Sequence, residues 1–361
     1  MMPDEIIYVL ALSSNSYIGP KKYTTIKNSL GLKEFFSLSA KDQMEFLKIR
    51  SAKAVPEFER MLFEAEKILK VCNKIGIKFV RIEDEFYPPA LKEIEDPPFL
   101  LYYLGNFNHS IKKIAVIGTR HPSKEAIEIN KYFSREFVSY GIGVVSGLAR
   151  GHDSIAQRTV VENDGYTIAV MGGGVDVIYP LENKNLYYQI REKGCIVSEY
   201  PPGTYPLKQN FPLRNRIISG LSDAVLVLQA PEKSGTLITV EYAQRQHRDV
   251  YTIPGNTLDP LYRGSNKLIQ NGAKIALTPE DIVFDLLGKD AKKIRNIKND
   301  LSLSDEEKLI LKSISKETHI DDLIEKSGIS QQNLLRILTL LEIRGYVEQL
   351  PGGFYRVLNE I

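Results

Sequence analysis

Only two cysteines, Cys72 and Cys195, occur in the 361 residues. They are too few for a disulfide framework or a multi-cysteine metal cage, and a reducing cytoplasm is the expected compartment. The five histidines (His109, His121, His152, His247 and His319) are scattered without metal-ligand spacing, so no metal or cofactor is expected. Tryptophan is absent altogether. No apolar window approaches the length that spans a bilayer, and no membrane contact is expected. Charge of one sign is also missing: 47 Lys and Arg stand against 45 Asp and Glu, a net of +2. Attraction of the whole surface to a polyanion is thereby excluded, and any nucleic-acid site must be a local concentration of cations. Two nucleotide signatures are lacking as well. There is no Gly-x-x-x-x-Gly-Lys-Ser/Thr phosphate loop, and Gly118-Thr119-Arg120-His121 puts a bulky cation where the dinucleotide fingerprint needs glycine.

What is present is a 43% hydrophobic chain, long enough for two or three domains. Residues 1–70 read as short helices separated by Ser-Asn and Gly-Pro punctuation. Within them, Tyr17-Ile18-Gly19-Pro20-Lys21-Lys22 resembles half of a helix-hairpin-helix; it is either a phosphate contact or an ordinary packing turn. The proline-rich passage 75–105 is expected to wrap an edge of the next domain, because proline bars helix interiors and central strands. Short continuous apolar runs then alternate with helical stretches, among them Ile114–Ile117, Gly143–Val145, Thr167–Met171, Ile196-Val197, Ala224–Leu228, Val250–Ile253 and Lys274–Leu277. Strands buried on both faces require such runs, so residues 71–288 are expected to form a doubly wound α/β domain on a parallel sheet. Lys289, Lys292, Lys293, Arg295 and Lys298 mark 289–300 as a basic linker. Residues 301–361 have the helix, helix, helix, hairpin order of a winged helix. Seven Lys and Arg against ten Asp and Glu give that unit a net charge of −3, and its candidate recognition helix offers only Arg336 and Arg344. This ranks partner contact or structural autonomy above duplex reading.

Four glycine turns close strands of the central domain: Gly118-Thr119-Arg120, Ser146-Gly147, Gly172-Gly173-Gly174 and Ser234-Gly235-Thr236. In a parallel sheet they converge on the carboxyl edge, where backbone N–H groups at helix starts bind anions. Arg120 is placed to offer its fork to a phosphate, and Lys208, Arg214 and Arg216 add charge around Phe211, a candidate base-stacking ring. Asp153, Asp176, Glu199 and Glu241 lie just past turns or strand ends, where carboxylates serve as acids and bases or, more commonly, as helix caps.

These motifs, with Val145–Asp153, Gly172–Pro180, Ser198–Gly203 and Phe211–Ile218 in the same order, resemble the DNA-processing protein A (DprA/Smf) family of bacterial natural transformation. The resemblance implies an extended Rossmann-like domain flanked by an N-terminal helical, SAM-like unit and a C-terminal winged-helix-like unit. It implies a cytoplasmic homodimer, not an enzyme, that binds and protects incoming single-stranded DNA and helps load the RecA recombinase. Carried over residue by residue, the DNA contacts fall on Gly118, Thr119, Arg120, Ser146, Gly147, Lys208, Asn210, Phe211, Arg214, Asn215, Gly235 and Thr236. The self-association surface falls on Asn266, Leu268, Ile269 and Ile275. The chain departs from the family at His152, where an apolar residue is usual, at Gln157, where histidine is usual, and at Thr119, where serine is commoner. A second resemblance competes: Ser234-Gly235-Thr236 with Glu241 is similar to the phosphate loop and glutamate of lysine-decarboxylase-like nucleotide phosphoribohydrolases, although the leading glycine pair of that loop is missing here.

Overall fold

A computed structural model describes residues 3–294, 305–315, 317–343 and 346–358. The chain divides into two compact units, 1–296 and 297–361.

In the first unit, helices α1 (Pro3–Ser13), α2 (Pro20–Ser29), α3 (Leu32–Ser37), α4 (Ala40–Phe46) and α5 (Val55–Ile75) come first. The expected boundary at residue 70 falls inside α5, which runs on to Ile75 and stops at Gly76 in the left-handed conformation. Then follow β1 (Lys78–Arg81), α6 (Pro89–Lys92), β2 (Leu100–Gly105), β3 (Lys113–Ile117), α7 (Lys124–Ser139), β4 (Gly143–Ser146), α8 (His152–Glu162) and β5 (Thr167–Val170). After these come α9 (Lys184–Lys193), β6 (Cys195–Ser198), α10 (Asn210–Gly220), β7 (Ala224–Val227), α11 (Thr236–Arg245), β8 (Asp249–Thr252), α12 (Arg263–Gln270), β9 (Lys274–Ile275) and α13 (Glu280–Leu287).

The nine strands form one sheet in the order β1-β2-β6-β5-β4-β3-β7-β8-β9. All neighbours from β6 to β9 are parallel, while β1 pairs antiparallel with β2 and β2 with β6. The passage 75–105 is therefore the edge of the sheet itself, a correction to the expectation that it wraps that edge. Its prolines all lie between the two strands, so none removes a ladder donor.

Side chains of successive strand residues go to opposite faces. Tyr102, Leu104, Ala169 and Ile196 join a core with α1–α5 and with Leu186, Tyr187 and Ile190 of α9. Leu101, Ile168, Val170 and Val197 join a second core with Ile217 of α10 and Val240 and Ala243 of α11. The helical N-terminal region thus shares a core with the sheet. Tyr23 and Lys27 of α2 both reach the Glu83 carboxylate, and Lys21 pairs with Glu95 at 3.9 Å. In the Gly19-Pro20 turn, the Lys22 Nζ donates to the Tyr17 carbonyl at 2.8 Å, so both lysines of this turn have partners within the fold.

The start of the basic segment also packs on this unit: Lys293 pairs with Glu136 at 2.7 Å, and the Ile294 N–H donates to the Ser139 carbonyl. Arg295 and Lys298 lie outside the described residues, as does Arg344. The second unit contains α14 (Asp305–Ser313), β10 (Thr318–His319), α15 (Ile320–Ser327), α16 (Gln331–Ile343), β11 (Val347–Leu350) and β12 (Phe354–Val357). Its sheet order is β10-β12-β11, and Ile310, Leu323, Leu334, Leu338 and Tyr355 fill its own core. Three helices and a hairpin make it a winged helix. No helix among the described residues is long and apolar enough to cross a membrane.

Candidate nucleic-acid interface

Because β5, β4, β3 and β7 are consecutive neighbours, the turns that follow them meet along one carboxyl edge. There they enclose a cleft of about 550 Å³. Gly118, Thr119, Arg120, Lys208, Phe211, Arg214, Asn215, Gly235 and Thr236 line it, together with Tyr179 and Lys233, which the sequence reading did not single out. Phe211, Arg214, Asn215 and Ile218 reach the cleft from α10 at helical spacing i, i+3, i+4, i+7. Phe211, Arg214 and Asn215 thus lie on the first turns of a helix, with Lys208 in the turn before it, and that spacing in the sequence was the signal for it.

Three expected contact residues lie behind the cleft wall, and the structure corrects their role. Ser146 is buried and donates its hydroxyl to the Val116 carbonyl at 2.7 Å. Gly147 is buried and gives its N–H to the Asp153 carboxylate at 3.1 Å. Asn210 is buried and donates to the Gly172 carbonyl at 3.0 Å. Nor is Gly172-Gly173-Gly174 an open cradle: the Gly174 N–H bonds the Thr204 carbonyl, and a Cβ on Gly173 would lie 2.6 Å from that same oxygen. At the first turn, the Thr119 N–H is taken by the Gln229 carbonyl at 2.7 Å. Much of the turn backbone is therefore satisfied internally, so the cleft's positive character comes from side chains.

Arg120, Lys208 and Lys233 are exposed, and neither Arg120 nor Lys208 has an ion-pair partner among the described residues. Arg214 differs. It is buried, its Nη1 donates to the carbonyls of Gly147 (2.9 Å) and Val170, and burial pushes its pKa down to about 10, with Asp153 opposing the shift. Asp153, held by the Gly147 N–H, is itself driven up by burial while the Arg214 charge pulls it down. Arg216 turns away from the cleft to pair with Glu199 and, at 3.8 Å, Asp96. The Phe211 ring lies near two guanidiniums, 5.9 Å from Arg120 and 5.8 Å from Arg214, and packs on Gly172, where a Cβ would come within 2.9 Å of it. One half-buried ring in the cleft lining thus borders two cations.

The two departures at 152 and 157 are built into the floor. His152 is buried against Gly118, bonds Asn130 at 3.1 Å through Nδ1, and is pushed down to about 4 by desolvation, so it is neutral at pH 7. Gln157 accepts from the Leu148 N–H and donates to the Ile168 carbonyl, both at 3.0 Å. Gly151, at φ 73°, begins α8 where a Cβ would strike the Thr119 and Arg120 backbone, which locks the first two turns together. Glu241, the glutamate a phosphoribohydrolase reading needs, is exposed on α11 and does not line the cleft. Among the described residues no group of three His, Cys, Asp or Glu could hold a metal ion.

The expected self-association residues separate. Leu268 belongs to the core, and Asn266 bonds the Gly255 backbone through both amide atoms. Ile269 is half-buried, and Ile275 is 47% exposed on the edge strand β9, next to Leu277 at 71%.

Residues 78–287 match the family model for DNA recombination-mediator protein A, and residues 298–353 match the DprA winged helix domain. The chain belongs to the DNA recombination-mediator protein A (DprA) family. It is 39% identical to the DNA processing protein DprA of Bacillus subtilis over 240 residues, 66% of this chain and 81% of that one. Protein Smf of a Synechocystis species is 42% identical over 214 residues, which cover 58% of this chain and 54% of that protein. In three dimensions the chain is similar to DprA of Streptococcus pneumoniae, with a TM-score of 0.68 and 34% identity over 78% of this chain and 98% of that one. It is also similar to DprA of Helicobacter pylori, a structure described by its single-stranded DNA binding mode (TM-score 0.53, 31% identity, 58% of this chain and 96% of that one). DprA is a family of recombination mediators rather than enzymes, and the mostly parallel α/β sheet with a C-terminal winged helix is its fold.

Proposed function

We propose that this protein binds single-stranded DNA in the carboxyl-edge cleft, as a cytoplasmic homodimer, and passes the protected strand to RecA during natural transformation. The observation that carries the DNA assignment is the exposed, unpaired pair Arg120 and Lys208 in the same cleft as the Phe211 ring. Exposed cations meet phosphates; an aromatic ring in the cleft lining meets a base that is not already stacked in a duplex. The single-stranded DNA mode described for the Helicobacter pylori relative supports the same ligand. Partnership with RecA and pairing of two copies rest on the family resemblance, and the exposed Ile275 and Leu277 support the second.

The test is a gel shift of single- and double-stranded oligonucleotides across a salt series. Single strands are expected to bind tighter. Arg120→Gln and Lys208→Gln should each weaken binding and reduce the slope of log K against log salt by about 0.7, the release of one single-strand counterion. Phe211→Ala should cost about 1–3 kcal/mol with the slope kept. Equal affinity for duplex and single strand, with all three variants like wild type, refutes the assignment.

A further inference from the structure

We infer that Tyr179 is a second base-stacking position, holding the nucleotide next to the one on Phe211, so that the track extends across the sheet edge toward β5; this rests on the proposed single-strand function. Tyr179 lines the cleft and is 48% exposed, whereas the other large ring of the cleft, Phe211, is half-buried. The two ring centroids are 5.7 Å apart with planes at 41°. At that separation the rings touch, so no base inserts between them. Both rings line the same cleft, and consecutive bases would stack on them from that side.

The position of Tyr179 follows from the topology. It comes from the segment after β5, Arg120 from the turn after β3, and Lys233 to Thr236 from the turn after β7, in a sheet ordered β5-β4-β3-β7. These groups therefore lie along a line across three inter-strand steps, roughly 14 Å. Arg120 and Lys233 come from the β3 and β7 side, and the tyrosine ring comes from the β5 end. Its backbone is also fixed on both sides. The Val177 N–H bonds the Gly174 carbonyl at 3.0 Å, the Asn183 N–H bonds the Pro180 carbonyl at 3.1 Å, and the Asn183 side chain donates to the Leu148 carbonyl at 2.9 Å. The Arg150–Glu182 ion pair at 2.7 Å ties the same segment to the turn after β4. A half-exposed ring on a pinned segment offers contact area at little cost in conformational entropy, as tyrosines do at other recognition surfaces.

The absence of tryptophan supplies the measurement. Tyr179→Trp gives the protein a single indole, whose emission is read while oligothymidylate is added; Tyr179→Leu and Tyr179→Phe are titrated by fluorescence anisotropy against a labelled oligothymidylate. Stacking predicts a quench of the Tyr179→Trp emission on binding. It also predicts a loss of about 5- to 100-fold for Tyr179→Leu with the salt slope intact, and an affinity for Tyr179→Phe within about twofold of wild type. In the Phe211→Ala background, Tyr179→Leu should still weaken binding further, since two rings hold two bases. Unchanged emission at saturation, Tyr179→Leu binding like wild type, equal losses for Phe and Leu, or no further loss in the Phe211→Ala background each overturn the inference, the last by making Tyr179 a prop for Phe211. If wild type itself does not bind the oligonucleotide, the proposed function falls, and this inference with it.

Discussion

Gly147 and Gly235 look alike in the sequence, each the glycine of a Ser-Gly turn after a strand, yet the structure gives them opposite burdens. A Cβ on Gly147 would sit 2.5 Å from both Nη atoms of Arg214 and 2.7 Å from its Cζ. That guanidinium has nowhere to go without leaving the carbonyls of Gly147 and Val170 unbonded in a buried site. Forcing a methyl into such packing costs about 1–3 kcal/mol, and displacing a charged hydrogen bond about 1.5–3 kcal/mol. Gly147→Ala is therefore expected to destabilise the first unit by about 4 kcal/mol, a melting temperature roughly 10 °C lower. At Gly235, by contrast, a Cβ meets nothing within 4 Å. Gly235→Ala should melt within about 0.5 kcal/mol of wild type, and any effect it has should appear in DNA affinity alone, because Gly235 lines the cleft. Thermal unfolding followed by circular dichroism, with anisotropy titrations on the same preparations, separates the two. A Gly147→Ala protein that melts with wild type, or a Gly235→Ala protein that melts as low as expected for Gly147→Ala, would refute this account of the cleft floor.

His152 makes stability depend on pH. Its folded pKa, pushed down to about 4 by burial, lies below the ordinary value of 6.5, so the unfolded chain takes up the proton first as pH falls. That contribution is complete above pH 6.5, is lost on the way down to 4, and amounts to about 2 kcal/mol between pH 7 and 4.5. Urea unfolding at the two pH values should show that loss shrinking in His152→Ile; equal losses in both proteins would count against it. Ile275→Glu should give a folded monomer where wild type sediments as a dimer, and long oligonucleotides, which span two clefts, should lose more affinity than short ones; a wild-type monomer at tens of micromolar removes this expectation. A chain shortened to residues 1–294 should keep most of its single-strand affinity, since the cleft residues all lie within it and the removed winged-helix unit is net acidic; a large loss would assign DNA contact to the removed segment.

The strands β3 to β8 were legible because a parallel strand covered on both faces has to be an unbroken apolar run. Lys78-Phe79-Val80-Arg81 gives no such run, and β1 is recognisable only through its pairing with β2. At the site, Arg120, Lys208, Phe211 and Asn215, each named from the sequence, line one cleft. Buried polar groups were not legible. A Ser-Gly turn carries no sign that its N–H is already claimed by a carboxylate six residues on, as Asp153 claims that of Gly147. Likewise Arg214 and Arg216 differ by two positions, and only the helical turn of α10 shows that one supports the cleft floor while the other faces Glu199. Tyr179 went unread because its partner in the cleft, Phe211, lies 32 residues further along the chain.

The core that α1–α5 share with the sheet also sets an order of events on the ribosome. Its contributors begin at Val9, and the helical set is complete by Cys72, but the strand residue that finishes the opposing wall is Ile196. At ~5–20 residues per second, on the order of ten seconds separate the synthesis of the helices from that of their last partner. Throughout that interval the emerged helices present Leu10, Leu12, Phe35 and Ile68 without the complete sheet to cover them. A nascent chain of this length is thus a natural client for a ribosome-associated chaperone, and slowing translation ahead of residue 196 would lengthen that exposure rather than help the fold.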